Sequence, residues 1–237
     1  MPAFFIGRKN NSEVHKMRLS IIIPAYITSN KGAEDLAVLL NKIANQIDGV
    51  NEESILVNDG SLIDLRFAKI VGITLIDNQQ NLGVAVSRNI GIDNSKGRWI
   101  NFIDADDDVP DDFVEILKDR IKYEESTTDP YDIIQFRARH EDGNIAFPEP
   151  CAWGKLIKSD WIGTDRFDPE QLIGEEDTLF LKKPAKIAHD DRIIYLHRQS
   201  ANPDSLMKRF WRREIPRRKN TQQFADSEGN SERKEQV

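Results

Sequence analysis

The densest chemistry in the chain is a run of acids, Asp104-Ala105-Asp106-Asp107-Asp108, which follows directly on the apolar stretch Trp99–Ile103. Four carboxylates within five residues repel one another unless a cation or a set of donors neutralises them. Hard oxygen ligands of this kind suit Mg2+ or Mn2+, which bind through one or two carboxylates together with substrate phosphates. Asp104 and Asp106, nearest the apolar stretch, are the expected ligands. Asp108, Asp111 and Asp112 read as a solvated loop and the cap of a following helix. Two other apolar runs also end on polar or turn-forming residues, Pro24-Ala25-Tyr26 and Asn58-Asp59-Gly60-Ser61.

These residues need a scaffold that brings them together. Leu19–Pro24 and Ser54–Asn58 are short and rich in β-branched residues, as buried parallel strands tend to be, and Ile73–Ile76 and Trp99–Asp104 continue the series. Between the first two, Leu36, Leu39, Leu40 and Ile43 recur at helical spacing. Ser61 and Asp64 read as a capping box that opens a short helix, and Pro110 opens one with Phe113, Val114, Leu117 and Ile121 on one face. Strand–helix alternation with short connections predicts an α/β fold with a mostly parallel sheet flanked by helices, whose ligands bind beyond the carboxyl ends of the strands. The second half is less regular. Tyr131–Ala138 and Arg192–His197 read as strands, Gly143–Phe147 as a partner of the first, and Glu175–Lys183 as helical.

The expected division is an N-terminal extension (1–17), a nucleotide-binding half (18–123), an acceptor-side half of the same domain (124–206), a basic segment (207–219) and a disordered tail (220–237). The 237 residues carry a net charge of −7, which argues against bulk nucleic-acid binding. Lys208–Lys219 alone carries +6 and leaves the remainder near −13. Its interleaved Met207, Phe210, Trp211 and Ile215 suit either docking onto the acidic domain or peripheral contact of 206–219 with an anionic membrane. No apolar run approaches the ~20 residues of a membrane span. A single cysteine, Cys151, excludes an internal disulfide. The short apolar patch Ala3–Ile6 is no secretory signal, so a cytoplasmic protein is expected, peripheral at the inner membrane face if the basic segment binds lipid.

The order SIIIPAY, NDGS, NLGVAVSRNIGI, FIDADDD resembles the N-terminal half of family 2 glycosyltransferases, inverting enzymes of the A-type glycosyltransferase fold. Ala152-Trp153-Gly154-Lys155-Leu156, Arg166-Phe167-Asp168-Pro169, Gly174–Phe180 and Tyr195-Leu196-His197-Arg198-Gln199 extend the likeness to about Leu206. The resemblance implies metal-dependent transfer of a hexosyl or N-acetylhexosaminyl group from a nucleotide sugar, a UDP-sugar by the base reading at Asp59, to a hydroxyl. Pro24, Ala25 and Tyr26 would line the base pocket, Asp59 would accept from the base, and Arg88 would approach the donor phosphates. The Asp-x-Asp motif Asp104-Ala105-Asp106 would hold donor and metal. Asp177, with Glu176 beside it, would take the acceptor proton. Trp153 and Lys155 would build the acceptor side, and His197 would complete the metal shell. The acceptor stays open among a glycan, a lipid-linked sugar, a protein and a modified nucleobase.

Each role has a plainer alternative. Asp59 could merely build the turn before Gly60, and Arg88 could be a surface helical arginine. Asp177 and Glu176 could only favour a helix dipole, Trp153 could pack the sheet, and His197 could be structural. The sequence also departs from the family pattern at Asn58, Ile27 and Ser87, and Ile27 to Asn30 would lengthen the loop over the donor. A nicotinamide enzyme would need Gly-x-Gly-x-x-Gly after an early strand, which is absent. A sugar-nucleotide pyrophosphorylase would carry a Gly-rich, Arg-containing loop where Pro24-Ala25-Tyr26-Ile27 stands. The remaining alternative is a sugar-nucleotide-binding protein without activity, against which the retained acids count.

Overall fold

The computed structural model describes residues 18–148, 151–169 and 183–198. Asp177, Glu176, the N-terminal extension, the basic segment and the tail lie outside the described residues.

Strand β1 (Leu19–Ala25) is buried along its whole length, which is why its sequence is continuously apolar rather than alternating. It pairs in parallel with β2 (Glu52–Asn58) on one side and β4 (Trp99–Phe102) on the other, and β3 (Thr74–Asp77) extends the parallel set beyond β2. Helix α1 (Asn30–Ala44) starts where the Ser29 hydroxyl accepts from Gly32 N at 3.1 Å and buries Leu36, Leu39, Leu40 and Ile43. Helix α2 (Phe67–Ile70) is one turn, α3 (Val84–Asn94) follows β3, and α4 (Phe113–Ser126) follows the acidic run. The second half adds β5 (Ile133–His140), β6 (Ile145–Ala146), β7 (Lys155–Lys158), α5 (Ser159–Ile162) and β8 (Ile187–His197). Together they form one eight-stranded sheet in the order β3-β2-β1-β4-β7-β5-β6, with β8 parallel to β5.

The sheet has a core on each face. Ile21 and Ile23 of β1 pack with α1 and with Phe113 and Leu117 of α4. Ile22, on the opposite face, packs with Ala85 and Ile92 of α3 and with Phe102, Trp161 and Phe167. Period-two alternation along one strand thus serves two layers of helices.

The strand series and the helix faces follow the sequence reading, with three differences. The capping box does not form. The Ser61 hydroxyl instead accepts from Ile27 N at 2.9 Å, and Asp64 turns back on Arg66 N at 2.9 Å, so α2 begins only at Phe67. Strand β7 was not anticipated, because Lys155 and Lys158 flank only two apolar residues. It runs antiparallel between β4 and β5 and joins the two halves of the sheet. Strand β8 begins at Ile187, ahead of the expected Arg192, since ladder bonds to β5 organise its polar first half.

Helix α3 lies unusually close to β1 at Gly91, where an added Cβ would come within 2.3 Å of Ile22 Cγ2. That atom sits on a β-branched side chain with no room to turn aside. Gly91→Ala is expected to lower stability by about 1–3 kcal/mol despite the better helix propensity of alanine. Thermal unfolding of the two proteins measures this, and an unchanged midpoint would refute the close packing.

Candidate active site

The carboxyl ends of β1, β2 and β4 converge on one edge of the sheet. Asp59 N donates to Ala25 O at 2.8 Å, which fastens the end of β2 to the end of β1. Beside it, Tyr26 is 39% exposed, while Ile27 points inward and its carbonyl accepts from Leu62 N at 2.9 Å. Pro24 and Ala25 are buried at the end of β1, and Tyr26 just beyond them is exposed.

Asp59 is buried, and its carboxylate accepts from Asn78 Nδ2 (3.1 Å), Leu82 N (2.9 Å) and Gly83 N (2.9 Å). It clamps the loop between β3 and α3 across the strand ends, and three of its roughly four acceptor positions are engaged. Gly60 is required there, with φ of 71° and the Gln80 carbonyl carbon 2.5 Å from where a Cβ would sit. The departure at Asn58 has a local reason. Its Oδ1 accepts from Ser61 N at 2.9 Å while its Nδ2 donates to Asp77 Oδ1 at 3.0 Å, a pairing that a carboxylate could not make beside Asp77.

Arg88 is not a surface residue. It is 3% exposed, lies over the Phe167 ring with its guanidinium carbon 5.5 Å from the centroid, and donates to Asp104 Oδ1 at 3.1 Å. Phe167 is held in turn by Asn89, whose side chain donates to Phe167 O at 2.8 Å and accepts from Phe167 N at 2.9 Å. Two motifs 78 residues apart, Arg88-Asn89 and Arg166-Phe167, thus form one support under the acidic turn.

Within that turn the four acids divide. Asp108 accepts from Lys42 Nζ and Val109 N and pairs with Arg198, while its backbone forms an isolated antiparallel bridge to Leu196. Burial opposes ionisation of Asp108, yet these donors hold its carboxyl below the usual range. Asp107, also buried, accepts from Tyr195 Oη at 2.6 Å and Arg198 N at 2.7 Å and faces His197 Nδ1 at 3.1 Å. Both acids fasten the end of β8 to the turn. Asp106 is different. It is half-buried, has no ion-pair partner among the described residues, and is pushed up to about 7 by burial and then by the charges of Asp107 and Asp104. Ala105 is buried between them.

An aromatic wall backs the turn. Trp153 is buried and stacks on Tyr195 (centroids 4.3 Å, interplanar 12°) and His197 (5.3 Å, 18°), and His140 meets His197 edge-on at 5.2 Å. The β5–β8 register sets this up by pairing His140 with His197. The hydrogen bond to Asp107 raises the His197 pKa against the effect of burial, with Asp107, Asp104 and Asp106 adding to the rise. Its Nδ1 is thereby committed to Asp107. Lys155 is 5% exposed, and its ammonium donates to the carbonyls of Pro148 (2.7 Å) and Cys151. These bonds hold the backbone around the wall.

Arg88, Asp104, Asp106 and His197 are thus brought to one place, with Pro24, Ala25, Tyr26 and Asp59 on the neighbouring strand ends. Sequence reasoning missed Asp107, Tyr195, Asn89 and Phe167 as parts of the site. The spacing of Tyr195 and His197, two apart on one strand and so on one face, was the available signal of a shared partner. Among the described residues no three His, Cys, Asp or Glu side chains form a complete metal cage. The donor set of Asp104 and Asp106 still fits Mn2+ or Mg2+, whose remaining ligands are commonly water and substrate phosphate.

The sheet is that of the A-type glycosyltransferase fold. S. aureus TarS 1–349 in complex with UDP superposes with a TM-score of 0.62 at 17% identity, over 78% of this chain and 61% of that one. Mannosyltransferase PcManGT from Pyrobaculum calidifontis, in complex with GDP-Man and Mn2+, does so with a TM-score of 0.60 at 16% identity, over 82% and 59%. The chain belongs to glycosyl transferase family 2, whose profile matches residues 20–153. Among curated relatives, glycosyltransferase GlyA of Streptococcus pneumoniae is 26% identical over 76% of this chain and 30% of its own length. The cholesterol galactosyltransferase of Borreliella burgdorferi is 30% identical over 48% of this chain and 32% of its own length. The chain therefore spans about a third of the length of these relatives. No described helix is long and apolar enough to cross a membrane.

Proposed function

We propose that this chain transfers a glycosyl group from a nucleoside-diphosphate sugar, of the UDP type, to a hydroxyl acceptor with inversion at the anomeric carbon. One observation carries the reading. Asp107 and Asp108 are engaged by β8, whereas Asp106 is half-buried beside them and has no ion-pair partner among the described residues. The donors named with the superposed structures, UDP and GDP-Man, and the Mn2+ named with one of them support the class of ligand.

In the proposed reaction the acceptor oxygen attacks the anomeric carbon and gives its proton to Asp177. The new C–O bond forms as the bond to the diphosphate breaks, and the nucleoside diphosphate leaves on the opposite face. A bound Mn2+ or Mg2+ would supply positive charge against the leaving diphosphate. Asp104 and Asp106 would hold that ion, with Arg88 fixing the Asp104 carboxylate from below. Tyr26 and Asp59 would border the base. Trp153 and Lys155 would serve the acceptor side indirectly, by fixing the wall and the backbone at Pro148 and Cys151, with Glu176 next to the base. His197 would face the same centre with the ring edge not committed to Asp107.

The raised Asp106 carboxyl gives a pH test. The ion binds only the carboxylate form, so Mn2+ affinity in the presence of UDP should fall by about tenfold per unit below pH 7 and level off above it. Calorimetric titrations between pH 5.5 and 8.5 measure the slope. A pH-independent affinity would remove Asp106 from the metal site.

A further inference from the structure

Besides the carboxylates of Asp107 and Asp108, a buried phenol holds the acidic turn in place. Tyr195 is 1% exposed, and its hydroxyl accepts from Asp104 N at 3.1 Å while it donates to Asp107 Oδ2 at 2.6 Å. Asp107 N in turn donates to Asp104 O at 3.2 Å, so the backbone of the turn and the phenol close a ring of hydrogen bonds. The phenol cannot drift, because its ring stacks on Trp153 and its neighbours Leu196 and Arg198 are bonded to Asp108 and Asp107. Through that one hydroxyl the orientation of the Asp104 backbone depends on a strand 91 residues away.

We infer that Tyr195 and Asp107 are positioning residues for the Asp104–Asp106 metal site, acting on it through the hydrogen bond from Asp104 N to the Tyr195 hydroxyl. The inference rests on the proposed metal-binding role of Asp104 and Asp106. Groups that orient metal ligands from behind commonly contribute ten- to a hundredfold in metal affinity. Tyr195→Phe keeps the ring on Trp153 and removes only the hydroxyl. It leaves Asp104 N without its acceptor and Asp107 with His197 and Arg198 N. Asp107→Asn keeps the volume but turns a double acceptor into a group that presents an amide to one of its three partners.

The experiment is Mn2+ titration of the full chain in the presence of UDP, followed by electron paramagnetic resonance of the free ion, alongside thermal unfolding without metal. Tyr195→Phe is expected to weaken Mn2+ binding about ten- to a hundredfold while the metal-free protein unfolds as one cooperative species. Asp107→Asn is expected to weaken it at least as much and stands as the second variant should the first fail to fold. A lower unfolding midpoint with unchanged Mn2+ affinity, in whichever variant folds, would mean a purely structural role and overturn the inference. The underlying reading fails separately. If the unaltered protein binds no Mn2+, or Asp106→Ala binds it undiminished, the metal site itself is misassigned and the inference falls with it.

Discussion

Asp106→Ala is expected to abolish metal-dependent glycosyl transfer while leaving the metal-free protein at least as stable as the parent at pH 8. The first half follows from position, since Asp106 is the acid of the turn with no ion-pair partner among the described residues. Losing the charge that faces a leaving diphosphate removes several kcal/mol of transition-state stabilisation, or about three orders of magnitude in rate. The second half follows from the sign of its titration. Its carboxyl is raised from 3.8 to about 7 in the fold. Any stability linked to it is therefore complete below pH 4 and lost as pH rises through 7, where the fold must carry an unfavourable third charge beside Asp104 and Asp107. Alanine removes that charge. Initial rates with saturating Mn2+ and unfolding curves without it check the two halves, and a metal-free variant far less stable at pH 8 would show that Asp106 is a structural acid.

Asp177→Asn is expected to lower transfer by about two to four orders of magnitude while Mn2+ and UDP still bind as in the parent. Asparagine matches the shape of aspartate but takes no proton, so the loss should appear in turnover and not in donor affinity. Asp177 lies outside the described residues, and its role rests on the resemblance of Gly174–Phe180 to the family motif and on the need of a single displacement for one base. Turnover near the parental rate would move the base elsewhere, and a product with the donor's own anomeric configuration would exclude single displacement.

The N-terminal half of the sheet was legible because its signals are local. Buried parallel strands write themselves as continuous apolar runs, as in Leu19–Ala25, and the acids at the end of β4 stand out against the residues before them. What was not legible depended on distant partners. Ser61 has the spacing of a capping residue, but the Ile27 amide across the strand ends takes its hydroxyl. Nothing local to Lys155 announces the two carbonyls that its ammonium bonds. Asp107 looks like one acid among four, and only the approach of Tyr195, 88 residues later, separates it from Asp106. Nothing local to Arg88 announces its burial over Phe167, 79 positions later, or its bond to Asp104.

Binding of a nucleotide sugar for transfer by a divalent ion on Asp104 and Asp106 is tested most directly by release of UDP from a panel of UDP-hexoses and UDP-N-acetylhexosamines. With Mn2+ present, at least one donor should be turned over. A chelator should stop the release, added Mn2+ should restore it, and Asp106→Ala should be inactive under both conditions. Equal release with and without chelator, or full release by Asp106→Ala, would contradict the account.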